Sequence, residues 1–196
     1  MYSVILSAGK SERMGRDKAF LKIDGEYFID RIFKKLDTFS DKIIIVAGNH
    51  NYDKIKKLFP NQTVLLNADY ELGQINSVKV AVKHIIENQI ETPIMINLVD
   101  QPLIKKSTYK KITEAYKKNK NKIIIPYTKK EDGSFKRGHP IIIPQKYFKL
   151  ILKAPYEKGL HWVTHHKKVE LKDIFVKDKG IIKDFDNYKE YINFFK

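Results

Sequence analysis

Short apolar runs alternate with amphipathic stretches along this chain, and few folds tolerate that rhythm. Val4-Ile5-Leu6, Lys42–Ala47, Thr63–Leu66, Ile94–Val99 and Ile123–Ile125 read as strands. Between them Phe28–Leu36, Tyr52–Phe59, Ser77–Ile86 and Tyr109–Tyr116 carry apolar residues at helical spacing, with Ser107 placed to cap the last. Strand then helix, repeated, predicts an α/β chain whose parallel sheet is covered on both faces. The later part is less regular. Glu131-Asp132-Gly133-Ser134 reads as a polar turn, Ile141–Pro144 as a strand and Gln145–Leu152 as a helix. Leu160–His165 reads as a helical turn, Val169–Val176 and Ile181-Ile182 as strands, and Asn187–Phe195 as a final helix. No internal repeat or long linker divides residues 1–196, so one domain is expected.

In such a sheet, ligands sit at the carboxyl ends of the strands, where loops carry the chemistry. The loop after Leu6 stands out. Ser7, Ala8 and Gly9 are small enough to let a ligand approach the backbone, whose N–H groups can form an anion-binding nest. Arg13 offers a planar fork for phosphate and Lys18 a compact point charge. The same residues could form a surface turn with scattered charge. Gly9-Lys10-Ser11 supplies the end of a P-loop, but Val4 stands where its first glycine belongs, and the Gly-x-Gly-x-x-Gly fingerprint is absent.

Other candidates fall on later loops. Asp100 ends the buried run Ile94–Val99, where a carboxylate can bind Mg²⁺ together with phosphate oxygens or simply cap a turn. Gly73 precedes a helical pattern, and Ser77 can cap that helix or donate to a phosphate or a base edge. Arg137 and His139, separated by the pliant Gly138, could meet an anionic acceptor. Asp184 and Asp186, two apart on an extended segment, point to one face. One can serve as a second metal ligand and the other as a cap for the last helix. The histidines are read without a zinc spacing, His165-His166 as surface residues.

Composition enters through charge. The formal net charge is +15, which raises nucleic-acid binding as a reading. Yet the lysine pairs are dispersed, several on the wet faces of helices, and no run interleaves basic and aromatic residues densely. Nucleic acid is therefore disfavoured against a solvated basic surface. No apolar run is long enough for a membrane helix, and the opening lacks the form of a signal peptide. Absence of cysteine excludes disulfides and fits a cytoplasmic protein.

Taken together, Leu6-x-Ala8-Gly9-x-Ser11-x-Arg13-Met14-Gly15, followed by Lys18, resembles the signature loop of the MobA-like nucleotidyltransferases. Asp100-Gln101-Pro102, the segment Asn67-x-Asp69-Tyr70 to Gly73 and Ser77-Val78-Lys79, and Gly138-His139-Pro140 are similar to the molybdenum-cofactor cytidylyltransferase branch of that family. Asp184-x-Asp186 matches the family's late acidic pair, although Asn187-Tyr188 replaces its Thr-Pro, and the arginine common near Leu160-His161 is missing.

The resemblance implies a single Rossmann-like three-layer α/β/α domain of the nucleotide-diphospho-sugar transferase type, with a mostly parallel twisted sheet. It implies transfer of a nucleoside monophosphate, CMP from CTP, onto the phosphate of molybdopterin, with a molybdenum hydroxylase as client. Arg13, Lys18 and Asp100 become the catalytic residues. Leu6, Ser7, Ala8, Gly9, Ser11, Asn67, Gly73 and Ser77 join them in holding the nucleotide. Gln101, Arg137, Gly138 and His139 face the acceptor, and Asp100 with Asp186 binds Mg²⁺, Asp184 being the alternative to Asp186. A sugar phosphate or another small phosphate remains an alternative acceptor. Basic nucleic-acid binding and NTP sensing remain readings of another class.

Overall fold

The computed structural model describes residues 1–11 and 14–195. In chain order the strands are β1 (Tyr2–Ser7), β2 (Lys22–Ile23), β3 (Glu26–Tyr27), β4 (Lys42–Ala47), β5 (Thr63–Leu66), β6 (Ile94–Leu98), β7 (Ile123–Lys129), β8 (Phe135–Arg137), β9 (Ile141–Ile143) and β10 (Leu171–Phe175). The helices are α1 (Phe28–Leu36), α2 (Tyr52–Leu58), α3 (Gln74–Glu87), α4 (Lys106–Lys118), α5 (Phe148–Lys153), α6 (Gly159–Thr164) and α7 (Tyr188–Phe194).

The main sheet runs β10-β7-β9-β6-β1-β4-β5, with β8 hydrogen-bonded to the outside of β7. β5, β4, β1 and β6 are parallel, as are β7 and β10. β9 is antiparallel to both β6 and β7, and β8 to β7. The period of two along each strand sends side chains into two separate cores. Val4 and Leu6 of β1, Ile44 and Val46 of β4, and Ile94 and Ile96 of β6 pack under α3, α5 and α6. Ile5, Ile43, Ile45 and Met95 pack on the other face against Ile29, Ile32 and Leu36 of α1, Ile55 of α2 and Ile112 of α4. Burial on both faces is why these strands read as continuous apolar runs. The expected layered α/β architecture with a mostly parallel sheet is what forms.

Four local expectations need correction. Ile181-Ile182 is part of a 3₁₀ turn, Lys179–Ile182, because Asp178 caps it by accepting from the Gly180 N–H at 2.9 Å. Ser107 lies inside α4, and Lys105 is its N-cap. Ser77 likewise lies inside α3, which starts beyond Gly73, a residue with φ of +90°. Neither acid of the late pair caps α7, since Asn187 accepts from the Glu190 N–H at 2.9 Å. β9 falls on the expected strand Ile141–Pro144 but runs antiparallel, and β8 and the β2–β3 hairpin are additions. That hairpin had a signal in Asp24-Gly25, both at positive φ as its tight turn requires.

Candidate functional site

β1 and β6 are neighbours in register, so their carboxyl ends open side by side. The chain leaving β1 is fixed from below by Asn51, which is buried. Its side-chain amide donates to the Ser7 carbonyl at 2.8 Å, and its oxygen accepts from the Gly48 N–H at 3.0 Å. Gly48 must be glycine here, because a Cβ would lie 2.7 Å from the Ala8 carbonyl oxygen. Farther on, Met14 is buried with Leu21, Ile23, Phe28 and Phe185, anchoring the loop's far side. Asp17 then caps a single 3₁₀ turn, Lys18–Phe20, by accepting from the Ala19 N–H at 2.8 Å, and this turn presents Lys18.

Lys18 is the centre of the site. Its ammonium donates to Asp100 Oδ2 at 2.9 Å and to Asp186 Oδ1 at 3.2 Å, joining groups 82 and 168 residues away. Its side chain is 13% exposed and that of Asp100 22%. Burial opposes the Lys18 charge, but the two carboxylates outweigh it and its pKa is raised. At Asp100 burial wins: its pKa is raised although Lys18 pulls it down, and the nearby Asp184 charge pushes it further up.

These three residues line one cleft of about 680 Å³ at the carboxyl ends of β1 and β6. Leu6, Ala8, Gly9, Ser11, Gly73 and Ser77 line it as well. Asn67 does not. It is buried beneath, donating to Ser77 Oγ at 2.9 Å and accepting from Asn76 Nδ2 at 2.7 Å, so it sets the Ser77 hydroxyl. Ser7 also stays below the surface, its hydroxyl buried. Arg13 lies outside the described residues.

The rim of the cleft holds residues outside the expected set. Lys10 forms an ion pair with Glu71 at 2.7 Å and sits 5.4 Å from the Tyr70 ring, and all three residues line the cleft beside Gln74. Their signal was present in the motifs themselves, since Lys10 lies inside the first loop and Tyr70-Glu71 directly precedes Gly73.

The expected acceptor residues are placed elsewhere. Gln101 is buried. Arg137 pairs with Asp173 at 2.6 Å, and Gly138 backs onto the Ile181 carbonyl, where a Cβ would lie 2.0 Å from the oxygen. His139 donates its backbone N–H to the same carbonyl at 3.2 Å, and burial lowers its imidazole pKa to about 4, leaving a neutral ring. None of the four is among the cleft-lining residues. His161 and His165 do stand four apart and stack with ring centroids 3.7 Å apart, a spacing that the sequence reading overlooked.

The donor set fits a hard divalent cation. Asp100 and Asp186 offer carboxylate oxygens around one point, already held by a cation in the form of the Lys18 ammonium. Asp100 carries a charge that burial disfavours and that Lys18 only partly compensates. Two carboxylates leave further coordination positions for phosphate oxygens and water, as Mg²⁺ requires.

Comparison with known proteins places the chain in a family. Residues 3–170 match the model of the MobA-like NTP transferase domain. A probable molybdenum cofactor guanylyltransferase of Clostridium perfringens is 30% identical over 149 residues, covering 73% of this chain and 58% of that protein. The chain thus spans a little over half the length of this curated relative. Among solved structures, Rv0371c of Mycobacterium tuberculosis superposes with a TM-score of 0.82 at 20% identity, covering 100% of this chain and 97% of that one. Its complex with manganese gives 0.74 at 18% identity, covering 98% and 96%.

Proposed function

The chain belongs to the MobA-like NTP transferase family, and on that premise we propose that it moves CMP from CTP onto the phosphate of molybdopterin. The observation that carries this reading is the meeting of Lys18, Asp100 and Asp186 in one cleft lined by the first loop. A phosphate oxygen of the acceptor attacks the α-phosphorus of the nucleotide, the bond to the bridging oxygen breaks, and pyrophosphate leaves. A phosphate monoester is largely ionised at neutral pH, its second pKa being about 6, so no protein base is required. The chain contributes position and charge. Lys18 neutralises the triphosphate, the backbone from Leu6 to Gly9 receives base and ribose, and Ser77 turns a fixed hydroxyl toward the nucleotide. Asp100 and Asp186 would hold Mg²⁺, which when bound offsets charge on the phosphate oxygens.

GTP is the second reading for the donor, favoured by the guanylyltransferase name of the Clostridium perfringens relative. CTP is favoured by Ala8, Gln101 and Gly138-His139-Pro140, which resemble the cytidylyltransferase branch. A mass-spectrometric screen of four NTPs, with Mg²⁺, against molybdopterin and sugar phosphates separates these. The expected product is a cytidylylated pterin. A guanylylated pterin would overturn the donor, a nucleotide sugar the acceptor, and no adduct at all the reaction.

A further inference from the structure

The two acids at the cleft come from segments far apart in sequence, and each segment on its own is a loop. What fixes one relative to the other lies behind them. Asp178 is buried, and its carboxylate reaches across to both sides. Oδ2 accepts from the Lys105 N–H at 2.8 Å and from the Thr108 hydroxyl at 2.6 Å, at the start of α4, five to eight residues after Asp100. Oδ1 accepts from the Gly180 N–H at 2.9 Å, on the path to Asp186.

Two glycines complete the join. A Cβ on Gly180 would lie 2.8 Å from the Leu103 carbonyl carbon and oxygen, so the late segment rests directly on the Asp100 loop. Gly138 gives the same kind of contact from the other side, with the Ile181 carbonyl filling the space a Cβ would take. Lys35 of α1 clasps the Asp100 loop from below, donating to the carbonyls of Pro102 at 2.6 Å and Ile104 at 2.8 Å. Beyond the join, Ile181 and Phe185 are fully buried, leaving little freedom before Asp186.

We propose that Asp178, together with the Gly138 and Gly180 contacts, is a positioning seat that sets the spacing of Asp100 and Asp186 and thereby the affinity of the cleft for a divalent cation. This rests on the metal-binding role given to the two acids above. It also gives the Gly138-His139 segment a task other than touching the acceptor: it holds the acid-bearing tail in place. The seat works through backbone position, so its loss changes cation binding before any chemistry takes place. Residues one layer behind metal ligands characteristically act in this way.

The test is titration of Mn²⁺ into the protein alone, following free Mn²⁺ by electron paramagnetic resonance, with circular dichroism and Tm recorded for each variant. D178N replaces an acceptor oxygen with a donor facing N–H or O–H groups. G138A forces a Cβ toward the Ile181 carbonyl. T108V removes one hydroxyl, and T108S restores it. Ile151→Val, in the opposite core layer, controls for simple destabilisation. D178N and G138A are expected to weaken Mn²⁺ binding about tenfold, T108V less, with T108S close to wild type and Ile151→Val unchanged.

Binding within about twofold of wild type in folded D178N and G138A would overturn the seat, as would an equal loss in Ile151→Val. If D178N does not fold, G138A and the Thr108 pair decide the matter. If Asp100→Asn leaves wild-type Mn²⁺ binding intact, the metal role of the acids fails and the seat with it. If Asp100→Asn abolishes binding while the seat variants do not change it, the seat alone fails.

Discussion

Asn51 shows how much of the site depends on a side chain that never reaches it. Its amide satisfies one backbone acceptor at the end of β1 and one backbone donor after β4, so the loop that begins at Ser7 starts from a fixed point. Asn51→Ala leaves the Ser7 carbonyl and the Gly48 N–H buried without that partner. The expected cost is about 1–3 kcal/mol, read from urea unfolding, together with weaker nucleotide binding. A variant as stable as wild type would mean that both groups find other partners. Lys18 is the opposite case, a partly buried cation held by charge, since the acids beside it outweigh the effect of burial. Its place beside the first loop was legible in the sequence, and its contacts with Asp100 and Asp186 are what the fold adds. The burial of Asn67 was not, because an isolated asparagine carries no mark of whether it faces ligand or neighbours. The same holds for Gln101.

Among the elements, β1, β4, β6 and β7 were legible because each buries both faces, and α1 and α4 because each buries only one. α4 is the clearest instance: Tyr109 and Ile112 are buried while Lys110, Lys111, Lys117 and Lys118 are exposed. Helix starts were less legible, because the capping partner can come from elsewhere in the chain. At α4 Asp178 takes the Lys105 N–H from 73 residues away, and no local pattern announces that. Ile181-Ile182 misled for a related reason: two apolar residues look like a strand, yet the carbonyl of Ile181 is engaged by the His139 N–H, outside any ladder. α7 does obey local rules. Asn187 caps it and Tyr191 donates to the Lys22 carbonyl at 2.6 Å, tying the last helix to the β2–β3 hairpin. Asn187→Ala is expected to cost about 1 kcal/mol, seen as faster hydrogen exchange of the α7 amides. Unchanged exchange would show that the aromatic contacts of Tyr188 and Tyr191 suffice without the cap.

Across the whole molecule, the order of strands brings the two loops of the proposed site together. β1 lies between β4 and β6, so the signature loop opens next to the carboxyl end that carries Asp100. The tail returns past β10 and its 3₁₀ turn to add Asp186 from the far end of the chain. Antiparallel β9, inserted between β6 and β7, pairs Ile141 with Ile96 and so brings the Gly138-His139-Pro140 segment that enters it to the same end of the sheet, and its direction could not be read from three isoleucines. No described helix is long and apolar enough to cross a membrane. In the proposed reaction Lys18 and Asp100 serve one nucleotide. Pyrophosphate release from CTP with Mg²⁺ and molybdopterin, compared among wild type, Lys18→Ala and Asp100→Ala, tests it most directly. Each substitution is expected to slow turnover by roughly 10²-fold or more. Near wild-type rates in both folded variants would contradict it.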